Sequence, residues 1–176
     1  AFRTDGLPFV VGGAHVTAYT PLFQIRTDMV RAKLVETPWL GYVNHMSMVA
    51  SKAARVVQAA KGKPVFEFGQ RRTHPIAATD ASWAAYVAGV TGSSNMAAFT
   101  QHGVPAFGTM DHFAIQAAEE EGRTRAETER DFFAQLGAAF PGMRMTYLVD
   151  TYDTERGLVA AARAAAGAPF AVRIDS

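Results

Sequence analysis

Cysteine is absent from the 176 residues. That excludes a disulfide framework and thiolate chemistry, and it fits a reducing compartment. No apolar run reaches the ~18 residues needed to span a bilayer, and the N-terminus lacks the charged-then-apolar pattern of a secretory signal. A cytoplasmic protein is the expectation. An excess of either charge is missing too: 17 Lys and Arg stand against 16 Asp and Glu, mixed along the chain. Without a basic block or a polybasic amphipathic stretch, neither nucleic acid nor a membrane surface is an expected partner. What is present is apolar: hydrophobic residues make up 49% and aromatics 11%, enough to bury a sizeable core. The chain opens with Ala1-Phe2-Arg3 and stops at Ile174-Asp175-Ser176, where a strand should run into a loop. A piece of a longer protein is expected.

Ala14–Tyr19 and Leu22–Arg26 read as strands on either side of a Thr20-Pro21 turn, the second with apolar and polar residues alternating. Asp28 is placed to cap a helix. Apolar residues then recur at helical spacing from Met29 to Val57, with Pro38 and Gly41 expected to kink or split a buried packing helix. After Lys61-Gly62-Lys63 the pattern becomes a repeat of short apolar strands and helices. The strands predicted are Pro64–Phe68, Val90-Thr91, Val104–Phe107, Met145–Val149 and Pro169–Ile174. Helices are predicted over 77–87, 96–101, two segments between His112 and Pro141, and 155–166. The second of those two opens on the capping box Thr124-Arg125-Ala126-Glu127. Such alternation is the signature of a parallel sheet covered by helices. The polar clusters fall at the strands' C-terminal ends, which in a (β/α) barrel all point to the face that carries the active site. Five strands are too few to close an eight-stranded barrel, so part of one is expected. An open doubly wound sheet is the alternative architecture.

Four clusters carry groups suited to chemistry. Arg71 and Arg72 follow Gly69, with His74 just beyond; adjacent guanidiniums suit a phosphate or carboxylate, or else pair with Glu67 or solvate a loop. Gly92-Ser93-Ser94-Asn95 could cradle an anionic group with hydroxyls and N–H groups, or Ser93 or Ser94 could simply cap the next helix. Gly108-Thr109-Met110-Asp111-His112 sets an imidazole after a turn. Asp150-Thr151-Tyr152-Asp153 brings two carboxylates and Asp175 a third, able to hold Mg²⁺, bind ribose hydroxyls, orient a histidine or, for Asp150 and Asp153, cap a helix. His102, Asp111 and His112 match no zinc spacing, so no metal ligand is assigned among them.

The ordered set resembles nicotinate phosphoribosyltransferase. The segments that carry the resemblance are Lys52–Val57, Glu67–Pro75, Gly92–Asn95, Gly103–Pro105 leading into Gly108–His112, Leu148–Thr154, and Arg173-Ile174-Asp175-Ser176. The resemblance implies transfer of phosphoribose from phosphoribosyl pyrophosphate to nicotinic acid in NAD salvage, coupled to ATP through a phosphohistidine. His112 matches that histidine. Arg71, Arg72 and His74 match substrate and phosphate contacts, and Arg173 with Asp175 matches the phosphoribose-binding pair. Asp150 and Asp153 lie in the segment lining the site, with Mg²⁺ bridging the phosphates. The implied fold is an irregular α/β barrel of the type II phosphoribosyltransferase kind beside a smaller α/β domain. Residues 1–27 would be a remnant of that domain, 28–61 connecting and packing helices, and 62–176 the first part of the barrel. A homodimer, or association with the remainder of the enzyme, is implied, and the segment alone is expected to be inactive.

Nicotinamide is the closest rival substrate. The related transferase for it has an aspartate in the turn equivalent to Ser93-Ser94, which would accept the amide and repel an acid; hydroxyls there favour nicotinate. Two departures from the family stand out: Gly-Ser-Ser-Asn where Gly-Thr-Ser-Asn is common, and Asp111 where Ala often precedes the histidine. A carboxylate at 111 would orient the imidazole or raise its pKa, and would work against phosphorylation. A Schiff-base lyase on a similar barrel ranks low, since Lys52, Lys61 and Lys63 all precede the first barrel strand. A non-catalytic domain used only for assembly is the other alternative.

Overall fold

A computed structural model describes residues 12–175; the part of the 1–27 remnant before residue 12, and Ser176 of the last motif, lie outside the described residues. The chain divides into two compact units, one up to Phe107 and one from Gly108 onward.

The first unit begins with helix α1 (Met29–Ala59), started by Asp28, whose side chain accepts from the Arg31 N–H at 3.0 Å. Pro38 lies inside it without dividing it. One face of α1 packs on α2 (Ala78–Val87). Of the expectation of a kinked or split, buried helix, the split and the burial are corrected: α1 is one helix, and Met46 alone of its residues is fully buried. A single contact stripe cannot cover residues that are apolar all round, so Met29, Leu34 and Met48 stay more than 60% exposed. The runs at 14–19 and 22–26 also differ from expectation. They form no ladder among the described residues, only single bridge positions at Phe23 and Arg26, and the turn falls at Ala18-Tyr19, where Tyr19 has φ 65°. An alternating pattern becomes a strand only beside a partner.

Strands β1 (Phe66–Glu67) and β2 (Gly92–Ser93) pair in parallel, Phe66 opposite Gly92 and Glu67 opposite Ser93. The predicted strand at Val90-Thr91 is thus displaced by two residues. The one predicted over Val104–Phe107 is reduced to a parallel bridge between Ser93 and Ala106, held by Ser93 N–H to Pro105 O and Phe107 N–H to Ser93 O, both 2.9 Å. Pro105 has no N–H to extend the ladder. Gly92 is required at this crossing, because a Cβ would lie 2.6 Å from the Pro105 carbonyl oxygen. Helix α3 (Met96–His102) follows, ended by Gly103 at φ 69°.

The second unit holds α4 (His112–Ala117), α5 (Arg125–Ala139), β3 (Thr146–Leu148), α6 (Thr154–Ala165) and β4 (Ala171–Arg173). The capping box predicted at Thr124 and Glu127 is present in full. β3 and β4 are parallel, with Leu148 opposite Arg173, and α5 packs against α6. The core comprises Met110, Ile115, Phe133, Tyr147, Leu148, Val149, Ala160 and Ala161. Gly157 brings α6 against the end of β3, since a Cβ there would stand 2.1 Å from the Val149 carbonyl oxygen. Both units are mixed α/β with parallel strand pairs. No described helix is long and apolar enough to cross a membrane.

Candidate functional site

In the first unit the polar residues gather where β1 and β2 end. Beyond β1 the chain makes a 3₁₀ turn, Gly69–Arg72, that leaves Arg71 and Arg72 exposed. Among the described residues neither arginine makes an ion pair, so of the two bland alternatives the pairing with Glu67 does not occur and the arginines stand exposed. Hydroxyls take that place: Glu67 Oε2 accepts from Ser82 Oγ at 2.8 Å and Ser93 Oγ at 2.6 Å, and Oε1 accepts from the Gly69 N–H. The reason is geometric. Both serines are buried, at 2% and 1% exposure, and the carboxylate lies within their reach while the guanidiniums face solvent. His74 caps a second short turn, its Nδ1 accepting from Ile76 N–H at 3.3 Å.

The serine turn is not itself the cap of α3. Asn95 fills that role, its Oδ1 accepting from Ala97 N–H at 3.1 Å. Ser93 donates to Glu67 and accepts from the Asn95 N–H at 3.0 Å, so its hydroxyl is occupied. Ser94 is half-buried, and its backbone N–H donates to the Glu67 carbonyl at 3.1 Å. His102 is a local partner of Asp80 at 3.2 Å, with its ring against Trp83.

In the second unit four of the predicted residues come together. His112 is the first residue of α4 and is half-buried. Its Nδ1 meets Thr151 Oγ1 at 3.2 Å. Its Nε2 faces two carboxylates, Asp175 Oδ2 at 3.5 Å and Asp150 Oδ1 at 3.9 Å. The other Asp150 oxygen accepts from the Asp175 N–H at 2.6 Å, tying the end of β3 to the segment after β4. Arg173 fixes the opposite side. One guanidinium nitrogen donates to Thr109 Oγ1 at 3.0 Å and to the Met110 carbonyl at 3.1 Å, and the other donates to Asp175 Oδ1 at 2.7 Å. That hydrogen bond holds the Asp175 carboxyl below the usual carboxylate range, against the opposing effect of burial and with help from the charges of Arg173 and His112.

The role expected of Asp111 is corrected. Its carboxylate accepts from the Ala114 N–H at 2.8 Å as the cap of α4, because a side chain at that position points along the helix axis toward the open N–H groups. Asp150 and Asp175 are the acids beside the imidazole. Asp153 is likewise a cap, accepting from Arg156 N–H at 2.9 Å at the start of α6, and no hydrogen bond or ion pair joins it to His112.

Three residues escaped the sequence reading. Thr151 and Thr109 sat inside motifs already picked out, beside more conspicuous neighbours. Glu129 lies on α5, 2% exposed, and its carboxyl is pushed up to about 7 by burial and by the charges of Asp153 and Asp150. Its signal was its spacing: four residues before the buried Phe133, an acid in a core-facing stripe.

No three-residue group of metal-ligating side chains exists among the described residues. Asp150 and Asp175, whose Oδ1 and Oδ2 respectively face His112 Nε2, are the carboxylates that could give Mg²⁺ its one or two protein ligands when phosphates and water supply the rest.

No family model matches the chain. Nicotinate phosphoribosyltransferase pncB1 of Mycobacterium tuberculosis is 47% identical over 159 residues, which is 89% of this chain and 35% of that protein. Nicotinate phosphoribosyltransferase of Bacillus subtilis is 32% identical over 88% of the chain and 28% of its own length. The crystal structure of human nicotinic acid phosphoribosyltransferase superposes with a TM-score of 0.68 at 27% identity, covering 93% of this chain and 42% of that one. The chain therefore spans about a third of the length of the curated relatives it matches.

Proposed function

The chain belongs to the nicotinate phosphoribosyltransferase family, of whose curated members it spans about a third, and from that premise we propose that it carries residues for phosphoribosyl transfer to nicotinic acid. The observation that carries the reading is the His112 cluster, where an arginine and two carboxylates are fixed around one imidazole. In the reaction the bond from the sugar's anomeric carbon to pyrophosphate breaks, and a bond from that carbon to the pyridine nitrogen forms. Charge develops on the sugar and leaves on pyrophosphate, so positioning and fixed charges do most of the work. Arg173 and Asp175 hold the phosphoribose. Arg71, Arg72 and His74 meet the substrate acid or phosphates, and Ser94 offers a hydroxyl where an acid group would repel nicotinate. Mg²⁺, drawn to Asp150 and Asp175, would offset pyrophosphate charge when bound.

His112 is the phosphate acceptor in ATP coupling on this reading. The γ-phosphoryl group passes from ATP to an imidazole nitrogen, ADP leaves, and the displaced proton goes to a neighbouring carboxylate. Asp111 does not stand against this, since its carboxylate is engaged at the end of α4. The parallel pairs are then parts of an irregular barrel, 62–176 its first portion, preceded by connecting helices (28–61) and a remnant of a smaller domain (1–27). Homodimer assembly and a cytoplasmic setting belong to the same proposal.

The test incubates the complete polypeptide that contains this chain with nicotinate, phosphoribosyl pyrophosphate, Mg²⁺ and ATP, with nicotinamide in parallel. Nicotinate mononucleotide and an acid-labile phosphate lost in His112→Asn are the expected results. A folded protein that makes no mononucleotide refutes the assignment, and preference for the amide corrects the substrate.

A further inference from the structure

The carboxylate of Glu67 is a focal point that the proposed reaction does not use. Two hydroxyls and one backbone N–H converge on it, and no cation does so among the described residues. A half-buried acid satisfied only by neutral donors forgoes the stronger pairing available from an arginine. Its donors come from three places: Gly69 opens the arginine turn, Ser93 sits in the serine turn, and Ser82 is on α2 behind them. The network closes on itself, because Asn95 donates through its backbone to Ser93 Oγ at 3.0 Å and through its side chain to Ser82 Oγ at 3.3 Å. Ser82, Ser93 and Asn95 are each no more than 2% exposed.

We propose that Glu67 is a positioning residue that locks the arginine turn and the serine turn in fixed relation, holding Arg71, Arg72 and Ser94 at set places for an anionic substrate. The proposal rests on the phosphoribosyltransferase reading for the identity of that substrate. The lock assigns different roles to adjacent serines: Ser93, with its proton given to Glu67 and a lone pair taken by Asn95, is structural, and Ser94 is the residue that can meet a ligand. Glutamine cannot replace the acid. If its oxygen faces the serines, its NH₂ confronts the Gly69 N–H; if reversed, the NH₂ confronts the Ser93 hydroxyl, which must turn round, while Ser82 keeps the Ala78 carbonyl at 3.1 Å as its acceptor. Either way one turn is released.

The experiment compares the complete polypeptide with its Glu67→Gln and Ser82→Ala variants by amide hydrogen exchange and by steady-state kinetics. The expected result for Glu67→Gln is exchange at least tenfold faster in residues 69–72 and 92–95 together, with KM for nicotinate raised tenfold or more and kcat changed less than threefold. Ser82→Ala, which removes one hydroxyl and leaves a helix-compatible residue, should move both quantities in the same direction by about threefold. Faster exchange in one turn only, or a lowered melting temperature with KM unchanged, overturns the lock. Should Glu67→Gln fail to fold, Ser82→Ala decides by the same criteria. A parent protein that makes no mononucleotide refutes the reaction instead, and the paired exchange of the two turns still decides the lock.

Discussion

One chemical change, glycine to alanine inside a helix, should stabilise this protein at one position and destabilise it at another. At Gly41, in α1, an added Cβ meets nothing within 4 Å. The substitution there should contribute about 0.5–1 kcal/mol through helix propensity alone. At Gly157, in α6, the Cβ would lie 2.1 Å from the Val149 carbonyl oxygen and 2.9 Å from its carbon. The obstacle is backbone, so no side chain can swing away, and α6 must lift off the end of β3. Overpacking of this kind costs about 3 kcal/mol at the upper end of its usual range. The propensity gain of about 1 kcal/mol offsets part of that, leaving Gly157→Ala about 2 kcal/mol less stable. For a cooperatively unfolding unit of about 150–250 residues that is a fall in Tm of roughly 4–8 °C. Urea and thermal unfolding followed by circular dichroism read both variants against the parent. If Gly157→Ala is as stable as the parent, the close approach of α6 to β3 is wrong; if Gly41→Ala is destabilised, the open space around Gly41 is wrong.

Glu129 should make stability depend on pH. Its carboxyl is raised to about 7 in the folded state, above the roughly 4.3 of an unfolded glutamate. The neutral form is the one the fold favours, so its contribution is complete below about pH 4 and is lost as pH rises through 7. Between pH 5 and 8 the parent should lose on the order of 2 kcal/mol more than Glu129→Gln, measured by urea unfolding across that range; parallel curves would refute it. Thr124→Ala removes the hydroxyl that accepts from Glu127 N–H and should cost about 1 kcal/mol in the same assay, read at a single pH.

The helices were the most legible part of the chain, because their ends are written locally. Asp28, Thr124 and Gly103 each act within four residues of their own positions, and each does what its residue type suggests. Strands depend on neighbours that local sequence does not contain. The alternation at 22–26 is sound as a pattern yet acquires no ladder among the described residues, and Pro105 cuts the strand predicted over 104–107 to one bridge. The same contrast runs through the site. His112, Asp150, Arg173 and Asp175 were each recognisable from their motifs, but who partners whom was not. Asp111 is next to His112 in sequence and turned away in space, while Asp175 is 63 residues distant and faces the ring at 3.5 Å. Glu67 looked like a mate for Arg71 and Arg72, and its hydroxyl partners come from positions 15 and 26 residues onward.

The guanidinium of Arg173 grips Thr109 and Met110 across 64 and 63 residues of chain. During synthesis the histidine turn leaves the ribosome long before that grip exists, and α4, α5 and α6 can form while it waits. Closing so large a loop carries an entropic cost that local contacts do not. The imidazole's surroundings should accordingly be among the last features to mature, appearing only once β4 has docked beside β3.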